Sequence, residues 1–175
     1  MAFALAFLVR GGGVEAATSV PLAVGATIPV AVELTINPLG GPFTTELSSV
    51  DTRDVSIADL EISSNSPNGF QVTFQSINAG RLVREGSTGA SEGDYTTYVL
   101  DLEDTPGGVL GSALPPAQER LGLDLSRGTE TVRFDDNVTG PTVQKLLSLE
   151  IQTRAKAGLF AGTYTDTVTV TVEDL

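Results

Sequence analysis

Apolar and polar residues alternate with a period of two along most of the chain, and the alternation starts at Val20. Val20, Leu22, Val24, Ala26 and Ile28 share one parity, and Val30, Val32, Leu34 and Ile36 continue it. On extended backbone that parity is one face, so the run predicts strand with a single buried side. Pro21 and Pro29 cannot donate to a ladder, which puts the run at a sheet edge or breaks it into two strands. The stretch from Asn37 to Pro42 reads as a turn. Beyond it, Val55 and Ile57 fall on odd positions while Leu60 and Ile62 fall on even ones. The phase slip near Ala58 and Asp59 predicts a β-bulge or a short break.

The pattern then repeats in short pieces. Ser63 to Gly69 is a turn cluster, and Phe70, Val72 and Phe74 alternate with Gln71, Thr73 and Gln75 in a half-buried strand. Asn78 to Gly80 turns the chain, Arg81 to Arg84 offers a short strand, and Gly86 to Asp94 is a polar loop. Tyr98, Leu100 and Leu102 begin another alternating run, followed by Leu121, Leu123 and Leu125, by Val132 and Phe134, and by Leu147, Leu149 and Ile151. The last run, from Gly162, sets Tyr164, Val168, Val170 and Val172 on one face and Thr163, Thr165, Thr167, Thr169 and Thr171 on the other, as a sheet with one wet face requires. Only Ala117 to Leu121 and Val143 to Leu147 could hold a helical turn. Eight or nine short strands between turn signals, with no sustained helical period, predict an all-β sandwich.

Composition narrows the function. The 175 residues suit one domain with a core of its own. There is no Cys, which excludes disulfides, thiolate metal sites and thiol nucleophiles, and no His, which removes the commonest general base and transition-metal ligand. With 22 acidic against 10 basic residues the net charge is -12, a balance that repels nucleic acid and anionic lipid. No nucleophile elbow, phosphate loop or metal-ligand spacing occurs, so no enzyme, catalytic residue or cofactor is expected. Asp101, Glu103 and Asp104, and Asp135 with Asp136, could in principle offer oxygen ligands to calcium. Neither group has the spacing of a calcium-binding loop, and the simpler expectation is acids solvating strand ends.

At the N-terminus, Met1 to Val9 is an apolar run far shorter than the roughly 20 residues of a membrane-spanning helix. Val14, Glu15 and Ala16 then satisfy a small-x-small cleavage pattern. Residues 1–16 are therefore expected to be a signal peptide, cut before Ala17, leaving no membrane attachment; a buried first strand or an anchor is the alternative. No Lys or Arg precedes the apolar run, so the start lies upstream or the signal is atypical.

The run from Val20 to Ile36 is too long for one ordinary strand: about 17 residues at roughly 3.3 Å each would exceed 50 Å. Part of it is therefore a candidate for service to another molecule. A domain that lacks one strand leaves an open edge and an apolar groove, and a neighbour's strand can fill both. Residues 17–28, with Val20, Leu22, Val24 and Ala26 as the inserted side chains, would be that donor, and residues 29–175 the sandwich. Two consecutive strands of a complete domain, broken at Gly25, fit the same pattern.

The ending from Ala161 to Val172, A-G-T-Y-T-D-T-V-T-V-T-V, resembles the last strand of spore-coat-U-like and archaic chaperone–usher pilin subunits. The segment Asn65 to Phe70, with the strand through Phe74 and the turn Asn78 to Gly80, is similar to a mid-domain hairpin of the same group. The resemblance covers about a third of the chain. It implies an exported, incomplete immunoglobulin-like sandwich, completed by donor strands from neighbours, and assembled head to tail into a pilus, filament or surface coat. A periplasmic chaperone and an usher would serve as assembly partners, and the strand bearing Tyr164, Val168, Val170 and Val172 would border the receiving groove. Many of those subunits carry a disulfide that this chain cannot form, and a related secreted filament or surface-layer subunit suits the residues equally well. The rival expectation is a monomeric secreted adhesion module that grips polysaccharide or protein through the loops Gly86 to Asp94 and Thr105 to Pro116.

Overall fold

A computed structural model describes residues 25, 27–39, 46–104, 120–134 and 143–175. Ten strands, all paired antiparallel, form two layers. The larger sheet runs β1 (Val32–Pro38), β2 (Thr52–Ser64), β8 (Val143–Thr153), β5 (Tyr95–Asp104), β4 (Arg81–Arg84) and β9 (Tyr164–Thr165), with β6 (Arg120–Leu123) also paired to β5. The smaller sheet is β10 (Val168–Asp174), β3 (Phe70–Ser76) and β7 (Thr129–Phe134). Between them lies one apolar core, to which the large sheet contributes Leu60, Ile62, Leu100, Leu102, Leu147 and Leu149, and the small sheet Phe70, Val72, Phe74, Val132 and Phe134. Phe70 and Phe134 stack with centroids 4.9 Å apart. The chain is thus an all-β, sandwich-like protein, as the alternation requires. Among the described residues no helix is long and apolar enough to cross a membrane.

The phase slip is a real irregularity. The β2–β8 register shifts between Ser56 and Ala58 and again between Thr52 and Val55, where Asp54 takes a positive φ of 51°. Ladder pairing nonetheless continues on both sides, so β2 is one bent strand of 13 residues. The expected turn at Asn37 begins later, because β1 runs through Asn37 and Pro38, which pair with Asp59 and Ala58. A proline is tolerated there since β1 is an edge strand with a free side for the missing donor. Val143 to Leu147 is strand rather than helical turn: its alternation feeds directly into Leu149 and Ile151 and it pairs with β2. Of Ala117 to Leu121, the described residues Arg120 and Leu121 are likewise strand. Leu125 leaves the β6 strand and sits buried in a 3-10 turn, Leu125–Arg127, capped by Asp124 through its carboxylate and the Ser126 N–H.

The C-terminal run is split. Tyr164 and Thr165 pair with β4 in the large sheet, whereas Val168 to Asp174 pair with β3 in the small one. The chain changes layer at Asp166 and Thr167, yet the even residues stay inward on both sides of the step, so the alternation hides it.

Candidate functional site: an open groove between two sheet edges

Neither β1 nor β10 has a strand on its outer side among the described residues, and although the two come near each other no ladder joins them. Among the described residues the sandwich is therefore open along this flank. The inward residues show it: on β3, Val72 and Phe74 are fully buried, while Val168, Val170 and Val172 on the adjoining β10 are only half-buried. Ile36 on β1 is 43% exposed and Val55 on β2 36%. The opening is a groove of about 530 Å³ with Ile36, Leu47 and Ile57 on one wall, Val168 and Val170 on the other, and Leu60, Leu149 and Ile151 among its base. The β2 bulge contributes directly, since the extra residue at the shift is Ile57. Leu47 is fixed by its carbonyl, which accepts a hydrogen bond from the Lys156 backbone N–H at 2.8 Å.

One end of the groove is built by the layer change. The Asp166 carboxylate accepts from Tyr98 OH at 2.5 Å and Ser76 Oγ at 2.6 Å on Oδ2, and from the backbone N–H groups of Thr167 (2.8 Å) and Asn78 (3.1 Å) on Oδ1. Ser76 Oγ in turn accepts from Gly80 N–H at 2.7 Å. The turn after β3, the middle of β5 and the β9–β10 step are thereby tied to one half-buried side chain. Burial, followed by the Asp166 hydrogen bond, pushes the Tyr98 phenol above its ordinary value. The rest of the Ala161–Asp166 phrase has structural work as well. Tyr164 OH is shared between the carbonyls of Gly93 (2.6 Å) and Phe160 (2.7 Å). Gly162, at φ 153°, lies so close to Arg84 that a Cβ would meet its side-chain carbons at 3.0 Å, and Arg84 is itself paired with Asp94 at 2.7 Å.

At the other end, residues 29–31 are held to the β2 terminus by Asn65, whose Oδ1 accepts from Ala31 N–H at 2.6 Å and whose Nδ2 donates to Pro29 O at 3.0 Å. Whatever the segment before Pro29 does, it starts from this fixed point.

Of the C-terminal residues singled out from sequence, Tyr164, Val168 and Val170 lie in the lining of this opening, and Val172 points the same way but packs on the core beyond it. Val20, Leu22, Val24 and Ala26, and the loop Thr105 to Pro116, lie outside the described residues. Sequence reading missed Ile36, Leu47 and Ile57 as the opposite wall, and Tyr98 and Asp166 as its corner. The parity of Ile36 was a usable signal; Leu47, in a turn, offered none.

Asp101 is not a solvating acid at a strand end, as it is buried in mid-strand. Arg120 reaches Asp54 at 2.5 Å, Asp101 at 2.8 Å and Glu150 at 3.2 Å, and Asp101 also accepts from Gln152 Nε2 at 2.6 Å. Asp101 and Glu150 are buried under this arrangement. Burial and a hydrogen bond with Glu103 raise the Glu150 carboxyl above the usual carboxylate range. An arginine, bound by several carboxylates at once, holds the place a cation would take; among the described residues no group of three or more acids is arranged to hold a metal ion. Asp135 and Asp136 lie outside the described residues. No protein-family model matches the chain, and no curated protein matches it in sequence.

Proposed function

We propose that the protein is a structural subunit of an extracellular bacterial filament, pilus or coat, in which the N-terminal segment of one copy, through Val20, Leu22, Val24 and Ala26, fills the groove of the next. The observation that carries this is the groove itself. Two antiparallel edges face each other with no ladder between them, over an apolar base that a complete sandwich would cover. An added strand would satisfy the edges through main-chain hydrogen bonds and bury its alternate side chains between Ile57 and Val170. Three aliphatic side chains, at about 1.5–3 kcal/mol each, are worth roughly 5–9 kcal/mol before the cost of ordering the donor is subtracted. The alternating run ahead of Pro29 has the pattern such a donor needs, and the Asn65 clamp gives it a rigid point of departure. Because every copy would present one donor and one groove, the contact is heterologous and propagates as a fibre. Export through the periplasm, assistance by a chaperone and usher, and display at the cell surface belong to the same proposal.

A peptide of residues 17–28, added to protein that begins at Thr27, tests it. The proposal expects saturable binding and a higher melting temperature, both lost when Leu22 and Val24 of the peptide are changed to Asp. No binding at large molar excess, or equal binding by the Asp peptide, would overturn it.

A further inference from the structure

On the outer face of the large sheet a second, smaller cleft of about 350 Å³ lies where the start of β2 meets the ends of β5 and β8. We propose that it binds an oxoanion, a carboxylate or phosphate group carried free or on a small polar molecule, between Arg53 and Arg154. Both arginines line the cleft. Neither side chain has an ion pair, hydrogen bond or ring contact among the described residues, whereas Arg81, Arg84, Arg120 and Lys156 are held by acids, carbonyls or rings. In a chain of net charge -12, unpaired cations that converge on one concavity are not what chance solvation produces.

The ladder explains the convergence. Thr52 pairs with Thr153, and Thr153 with Tyr98. Arg53, at the bulge where the register shifts, and Arg154 each directly follow a member of the Thr52–Thr153 pair, so the two arginines flank one rung at cross-strand spacing. Two guanidinium groups at that spacing can close on a single oxoanion from both sides, each through paired N–H donors. The carboxylates nearby are already committed: Asp54 and Asp101 to Arg120 and Gln152, and Asp51 Oδ1 to the Ala155 backbone N–H at 2.7 Å. The lining is more polar than that of the groove and includes Asp51, Thr97 and Gln152, which suits a polar molecule such as a sugar acid rather than an apolar one.

Amide chemical-shift titrations of the whole chain with inorganic phosphate, glucuronate and glucose test this at fixed ionic strength. The proposal expects shifts confined to residues 51–54, 97–99 and 152–155 with at least one of the two anions and none with glucose. Preference for phosphate assigns a free anion, preference for glucuronate a sugar acid. The double variant R53Q/R154Q should weaken that binding at least tenfold, whereas R127Q, on a turn outside the cleft's lining, should leave it unchanged. Absence of shifts with both anions, equal shifts with glucose, shifts spread equally to Arg127 and Arg133, or undiminished binding by the double variant would each overturn it.

Discussion

The carboxylate of Asp166 accepts four hydrogen bonds at the point where the chain passes between sheets, and its removal is the sharpest test of how that corner is held. In Asp166→Ala, Tyr98 OH loses its acceptor in a position only 8% exposed, and the Asn78 and Thr167 N–H groups lose theirs. Hydrogen bonds to a charged acceptor are each worth about 1.5–3 kcal/mol, and an orphaned buried donor costs about 1–3 kcal/mol. The bonds share one acceptor and Asp166 is half-buried, so they do not add; Ser76 also keeps its bond from Gly80. A loss of about 3 kcal/mol is expected, which lowers the melting temperature by roughly 6–12 °C in a domain of this size. Tyr98→Phe alone should cost about 1–2 kcal/mol, and the cycle of Tyr98→Phe with Asp166→Asn should show coupling of about 1 kcal/mol or more. Urea unfolding followed by far-ultraviolet circular dichroism reads the wild type and every one of these variants, which suits a chain with no Trp. If Asp166→Ala costs less than about 1 kcal/mol, or the two substitutions simply add, the corner is not held as argued.

The raised Tyr98 phenol has a definite pH signature: the folded state keeps its proton while the unfolded state ionises near the ordinary tyrosine value of about 10, so stability present below that pH falls as pH rises through it. Tyr98→Phe should flatten that alkaline decline in urea titrations, and an unchanged slope would refute the assignment. Glu150, whose carboxyl is raised by burial and by Glu103, contributes stability fully only below the unfolded carboxylate range and loses it as pH climbs through the folded value. Glu150→Gln should therefore stabilise the protein at pH 7, with the gain shrinking as pH falls into the carboxylate range; a loss at pH 7 would mean that the attraction of Arg120 outweighs burial. Val170→Asp, on the half-buried wall of the groove, should cost the isolated domain only about 1–2 kcal/mol by thermal melting, yet abolish binding of the peptide of residues 17–28.

Period two alone carried most of the fold, because each strand buries one face and the parity of Phe70 to Phe74 or Leu147 to Ile151 says which. The slip between Ile57 and Leu60 was readable for the same reason, since a bulge changes parity. What stayed hidden changed no parity. The step at Asp166 leaves Tyr164 and Val168 on the same inward side, so an uninterrupted strand and a strand that changes sheets look identical in sequence; only the partners, β4 before and β3 after, differ. Asp101 occupies an outward position between Leu100 and Leu102 and is buried only because Arg120 and Gln152 close over it, a contact set by strand order rather than by local pattern. Arg53 and Arg154 are a hundred residues apart and meet through the same strand order. Half of the groove was legible, in Tyr164, Val168 and Val170; the facing wall came from a turn and a bulge whose placement depends on the whole sheet.

The central claim is that the segment before Pro29 belongs in another copy's groove. Size-exclusion chromatography with negative-stain microscopy, on protein beginning at Ala17 beside protein beginning at Thr27, tests it most directly. Fibres or a ladder of oligomers from the longer protein alone are the predicted result, with the shorter one folded and monomeric because Asn65 still holds residues 29–31. Identical stable monomers from both would contradict the account.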